Sequence, residues 1–267
     1  MRRLSVFLVL MMTCSLGFAQ QSTYSESFRM NLTTDGTAYM VGFLAPKPNG
    51  KAVVVFPGGG YKQTSIDKYY AWAEFFNKIG VSLFAVKYRM PEGDRQIPIA
   101  DATQALQTVF DSATVWRISP RWIGVMGTSA GGHLASVIAT QDLEKLRPAF
   151  QILCSPVITM GRVGAHKGSV ERFLGKDVEN DKVRAEYSSN NRVNNLTPPA
   201  LIFTSVDDRS VPVEQNAMAY YGAMVKAGRS VSIHVYPEGG HTGTSKMDFK
   251  YHQAMESVIA TWLNGLK

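Results

Sequence analysis

The sequence predicts an α/β fold, a mostly parallel sheet with helices on both faces. Three observations carry that expectation. From residue 52 onward, apolar runs of strand length alternate with longer stretches of helical periodicity. The strand runs are apolar almost throughout, as strands covered on both sides are, rather than alternately apolar and polar. One of them, Trp122–Met126, leads at once into Gly127-Thr128-Ser129-Ala130-Gly131 and then into an apolar helical pattern. That succession of strand, sharp turn and helix is a nucleophile elbow.

The 267 residues, 45% hydrophobic and 18% charged, suit one α/β domain with a sizeable core. We read that domain over residues 20–267, behind a secretory signal peptide over residues 1–19. Met1-Arg2-Arg3 supplies the positive region, Leu4 to Met12 the short apolar stretch, and cleavage is expected after Ala19. Cys14 as a lipoprotein anchor is the alternative. No later apolar run reaches the ~20 residues a span needs, so no membrane association is expected after cleavage. Of the two cysteines, only Cys154 then remains, which excludes an intramolecular disulfide and suits a buried structural thiol. The net charge of +7 is scattered along the chain, a solvated surface rather than a nucleic-acid groove.

Taken in order, Phe28–Leu32 and Ala38–Leu44 flank Thr34-Asp35-Gly36-Thr37 and predict an antiparallel hairpin. Ala52–Phe56 is a β-branched strand, and Pro57-Gly58-Gly59-Gly60-Tyr61 follows it. The glycines let backbone approach a ligand and expose N–H donors. A P-loop is excluded because no Gly-Lys-Ser/Thr follows. Asp67–Ile79 is a helix stopped by Gly80, Val81–Val86 a strand, and Pro98–Ala113 a helix with Ala102, Ala105, Leu106, Val109 and Phe110 on one face. After the elbow come a strand at Phe150–Leu153 and a long polar segment, Gly161–Asn195, read as a small inserted cap of short helices over the site. Ala200–Thr204 resumes the strands. A helix over Val213–Ala227, a strand over Val231–Tyr236, the loop Pro237–His241 and a closing helix to Leu266 complete the chain.

A serine hydroxyl needs an imidazole to take its proton and a carboxylate to orient that imidazole. Ser129 is the candidate nucleophile. Of five histidines, His133 lies in the elbow helix, His166 in the cap, His234 inside a strand and His252 on the last helix. His241 alone follows a late strand in a glycine-flexed loop, where the order serine, acid, histidine places the base. Asp208 is the candidate acid, with Asp207 as its rival. The oxyanion hole is assigned to the N–H of Ala130 and one from Gly59 or Gly60. Arg162, His166, Lys167, Arg172, Asn190, Asn191, Arg192, Asn194 and Asn195 make the cap rich in hydrogen-bonding groups, which favours short acyl groups on a hydroxylated leaving group.

The glycine motif at 57–61, the elbow Gly124–Ala135, Asp207-Asp208-Arg209-Ser210-Val211-Pro212 and Gly239-Gly240-His241 together resemble secreted bacterial α/β-hydrolase esterases of the acetyl xylan esterase type. The resemblance covers nearly the whole mature chain. It implies the α/β-hydrolase fold, a Ser129, Asp208, His241 triad, deacetylation of plant polysaccharide such as xylan, and no metal or organic cofactor. This chain departs from that pattern at Thr128, at Thr242-Gly243 after the histidine, and at Pro57, where many lipases and esterases carry histidine. Two other readings stay open: a serine peptidase of the same fold, and a non-catalytic binding protein on a hydrolase scaffold. The first usually brings a propeller domain and the second a broken triad.

Overall fold

In the computed structural model, which describes residues 24–142 and 146–266, the chain opens with the expected antiparallel hairpin, β1 (Phe28–Asn31) and β2 (Tyr39–Phe43). The signal-peptide reading, the cleavage point after Ala19 and Cys14 lie outside the described residues. β3 (Ala52–Phe56), α1 (Tyr69–Lys78), β4 (Ser82–Lys87), α2 (Gln96–Asp111), β5 (Ile123–Thr128), α3 (Ala130–Thr140) and β6 (Gln151–Cys154) follow. Two short helices, α4 (Lys167–Leu174) and α5 (Asp181–Glu186), precede β7 (Ala200–Ser205), α6 (Ala219–Lys226), β8 (Val231–Tyr236) and α7 (His252–Gly265). The eight strands form one sheet in the order β1-β2-β4-β3-β5-β6-β7-β8. β3 to β8 run parallel, and β2 joins β4 antiparallel.

The strand sequences explain the layering. Successive side chains on a strand point to opposite faces, and in β3 both sets are apolar. Val54 and Phe56 pack with α2 and α3, while Val53 and Val55 pack with α1 and α7. Trp72, Ala73 and Phe76 of α1, at helical spacing, are fully or almost fully buried against the second face. Burying each such large side chain contributes about 1.5–3 kcal/mol.

Two boundaries depart from the sequence expectation for identifiable reasons. Trp122 belongs to a 3₁₀ turn, Pro120–Trp122, rather than to β5. Pro120 starts that turn because it has no N–H to give a ladder, and Lys51 covers the half-buried indole. The helix expected over Val213–Ala227 begins as a wider π-type turn, Glu214–Met218. Here the buried Asn216 side chain accepts from the N–H groups of Ile158 and Thr159 and donates to the carbonyls of Pro212 and Gly164. A side chain inserted among backbone groups widens the turn.

Topology also prepares the site. From β3 the chain crosses to β4 on one side and later to β5 on the other, so the loops leaving β3 and β5 diverge above neighbouring strands. In open α/β sheets that reversal opens a crevice at the C-terminal strand ends. β5 reaches its partners through Gly124, where a Cβ would lie 2.2 Å from the Phe150 ring. Gly124→Ala should therefore destabilise the fold by about 1–3 kcal/mol, at ~2–4 °C of melting temperature for each. An unchanged thermal unfolding curve would contradict this packing.

Candidate active site

The turn at Ser129 is sterically over-determined. Ser129 has φ 55° and ψ −122°, a region that costs a non-glycine residue about 1–3 kcal/mol. Its neighbours explain how it is held there. A Cβ on Gly127 would lie 2.1 Å from the Gly131 carbonyl oxygen, and one on Gly131 would lie 2.0 Å from that of Phe56. Only glycine lets α3 turn back so closely over β5 and β3. The Ser129 N–H donates to Cys154 O at 3.0 Å, and Ser129 O accepts from the N–H groups of His133 and Val157 at 3.0 and 3.1 Å.

Three strand ends then converge. Ser129 Oγ lies 2.7 Å from His241 Nε2, and His241 Nδ1 lies 2.8 Å from Asp208 Oδ2. A carboxylate only accepts, so Nδ1 carries a proton and Nε2 presents its lone pair to the serine hydroxyl. The Asp208 side chain is fully buried, and its Oδ1 accepts from the N–H groups of Ser210 and Val211 at 3.0 and 2.9 Å. Asp207 does not touch the imidazole. Its carboxylate accepts from the N–H groups of Gly240 and Gly239 at 2.8 and 3.3 Å, bracing the loop that carries His241. Gly239 and Gly240 have positive φ, 139° and 56° respectively, so the loop needs that brace and those residues.

Pro57, Gly58, Gly59 and Gly60 leave β3 and line the same cavity as Ser129. Gly59, at φ 139°, comes so close to Gln63 that a Cβ would meet its carbonyl oxygen at 1.9 Å. The N–H groups of Gly59 and Gly60 have no hydrogen-bond partner among the described residues. Ala130 opens α3, where the first N–H groups of a helix have no intrahelical partner. Free donors thus stand on both sides of Ser129. The Gly60 carbonyl is held from the cap, since Arg172 Nη1 donates to it at 3.0 Å and to Gly168 O at 2.9 Å.

The other histidines fall elsewhere. His133 is fully buried, between the Tyr61 hydroxyl on Nδ1 and the Tyr187 carbonyl on Nε2. Burial pushes its pKa down to about 4, so it is a neutral packing group. His234 stacks on Phe203 in the sheet, and His252 opens α7 against Trp72. His166 does reach the site: its ring lies parallel to that of His241 with centroids 6.5 Å apart.

The cavity occupies about 630 Å³. Of the polar cap residues expected to line it, only His166 and Arg172 do. Arg162 pairs with Glu179 and Asp181, while Asn191, Arg192 and Asn194 bond backbone within their own segment. That part of the insertion packs over α3 and α6 instead. The polar wall missing from the sequence reading is Lys62, Gln63, Thr64, Ser65 and Lys68, between the glycine motif and α1. Its one signal is a polar stretch placed directly after a ligand-approaching loop. Tyr69, Thr128, Thr242 and Ser245 complete the lining, with no carboxylate among the described lining residues.

The two adjacent acids have separable roles. Asp208→Asn should lower kcat by about 10³–10⁴-fold, the scale for losing the orienting carboxylate of a triad. Asp207→Asn, which weakens a loop brace, should cost far less. Steady-state kinetics giving the reverse order would reassign the acid.

The α/β-hydrolase fold family model matches residues 53–244. An acetylxylan esterase of Xylanibacter ruminicola is 44% identical over 254 residues, 94% of this chain and 53% of that protein. Endo-1,4-beta-xylanase B of Butyrivibrio fibrisolvens is 29% identical over 234 residues, 78% of this chain and 36% of that protein. This chain therefore spans about half and about a third of these relatives. The crystal structure of an acetyl ester-xyloside bifunctional hydrolase from Caldicellulosiruptor lactoaceticus superposes with a TM-score of 0.79 at 28% identity, over 91% of this chain and 97% of that one. With the family model matched across the sheet from β3 through the loop that carries His241, the chain belongs to the α/β-hydrolase fold family.

Proposed function

We propose that this protein is a serine carboxylesterase that removes short acyl groups, foremost acetyl, from carbohydrate of the xylan type. The observation that carries the reading is the hydrogen-bonded chain from Ser129 Oγ through His241 to the buried Asp208 carboxylate, opening on a cavity with one polar wall, Lys62 to Ser65 and Lys68. The 44% identity to an acetylxylan esterase supports the substrate class.

In the proposed reaction Ser129 Oγ attacks the ester carbonyl carbon while His241 Nε2 takes the hydroxyl proton. Negative charge developing on the carbonyl oxygen meets the N–H groups of Ala130 and of Gly59 or Gly60. Each such donor is worth about 3 kcal/mol in the transition state. The tetrahedral intermediate collapses as the carbon–oxygen bond to the sugar breaks, and the proton on Nε2 passes to the departing alkoxide oxygen. Water then loses a proton to Nε2 as its oxygen adds to the acetyl-enzyme; the acyl–Oγ bond breaks, Ser129 Oγ takes that proton back from Nε2, and acetic acid leaves and ionises. Asp208 stays ionised throughout and stabilises the imidazolium.

Ser129→Ala should leave the thermal unfolding transition in place and abolish turnover, and a sulfonyl fluoride should label Ser129. Labelling elsewhere would remove the nucleophile assignment. Initial rates on acetyl, butyryl and octanoyl esters test the acyl site. A pocket built for long chains would gain ~0.8 kcal/mol for each buried methylene, whereas this one should favour acetyl. Octanoyl preferred over acetyl, or no acetate released from any acetylated xylo-oligosaccharide, would defeat the reading.

The proposal extends to export. Mass spectrometry of periplasmic or secreted protein should find a chain beginning at Gln20 or close to it, and a diacylated Cys14 would replace the soluble product with an anchored one.

A further inference from the structure

His166 is the one cap side chain with an aromatic ring beside the catalytic imidazole, and its hydrogen bonds define its tautomer. It caps α4: the Ser169 N–H donates to His166 Nδ1 at 3.2 Å, with the Ser169 hydroxyl 2.8 Å from the same nitrogen. A backbone N–H can only donate, so Nδ1 is the acceptor and the proton of the neutral ring resides on Nε2. That Nε2–H has no hydrogen-bond partner among the described residues, and the ring lines the cavity. Burial first, then the neighbouring His241 and Arg172, hold its pKa below the ordinary histidine value. At neutral pH it is an uncharged donor.

Its position is fixed from two sides. The ring lies parallel to His241 at 6.5 Å, and a Cβ on Gly60 would meet its Cε1 at 3.4 Å. His166 therefore stands between the candidate oxyanion loop and the imidazole that protonates the leaving group. In the proposed reaction that same imidazole protonates the alcohol oxygen, which assigns the His166 donor to the leaving-group side of the cavity.

We propose that His166 recognises the leaving group, its Nε2–H donating to a free hydroxyl on the sugar carbon next to the esterified one. The assignment rests on the carbohydrate-esterase reading and deepens it. An acetylated sugar with a neighbouring hydroxyl satisfies the donor; a simple alcohol ester forgoes that bond and leaves the donor to water. His166 is a specificity residue and takes no part in moving protons.

The test compares kcat/KM for methyl β-xyloside carrying one acetyl group beside a free hydroxyl with that for the deoxy counterpart lacking the hydroxyl. The ratio of the two is read within each variant, so the fraction of folded enzyme cancels. Wild type should favour the hydroxylated substrate roughly tenfold, the scale of one hydrogen bond. His166→Asn keeps a good N-cap for α4 but does not reach the substrate, and its ratio should fall close to one. His166→Gln, whose amide extends about as far as Nε2, should retain most of the preference. A wild-type ratio near one, or a ratio unchanged in His166→Asn, overturns the assignment and leaves the esterase reading standing. If wild type hydrolyses an aryl acetate but releases no acetate from either xyloside, both fall.

Discussion

The backbone of Ser129 sits where almost no side-chain-bearing residue sits, and most of the site depends on that. A residue at φ 55° relaxes unless its surroundings forbid it. Here three adjacent strands hold it. Gly131 rests against the end of β3, Gly127 against the start of α3, and the Ser129 N–H is tied to the end of β6. The hydroxyl is thereby lifted out of the sheet toward His241, while the N–H of Ala130 beside it is left free at the head of a helix. One strained residue thus places both the hydroxyl that meets His241 and an unpaired backbone donor beside it.

The electrostatic half of the site is arranged around a single buried carboxylate. Asp208 is saturated by two backbone donors and one imidazole, so its charge is fixed in position before any substrate arrives. Asp207, one residue earlier, points its carboxylate at the glycine loop. Both acids lie in the turn after β7, which sends the two carboxylates to different parts of the same loop. Lys62, Lys68 and Arg172 line the cavity and add positive potential beside Ser129.

Much of this was legible in the sequence because steric necessity leaves a residue-level trace. Gly127 and Gly131 are required by close approach, and their spacing about Ser129 reveals the turn. His241 could be singled out because a strand and two glycines precede it. Asp208 is preferred over Asp207 in the sequence, but what separates the two adjacent acids, the loop atoms each meets, is visible only in the structure. The cap was legible as an insertion, but polarity does not say which side faces the cavity; Arg162 and the asparagines near residue 190 bond within their own segment. The π-type turn before α6 escaped for a related reason: Asn216 earns it through Ile158, Thr159 and Gly164, more than fifty residues away.

The bond from Arg172 to the Gly60 carbonyl joins the insertion to the loop that presents backbone donors to the substrate. A lid that swung away from the cavity would break that bond and unsettle the loop it steadies. The insertion is thus tied to the frame of the site through Arg172. Changes in the insertion, although distant in sequence from the glycine motif, are therefore transmitted to the backbone at Gly60 through one guanidinium.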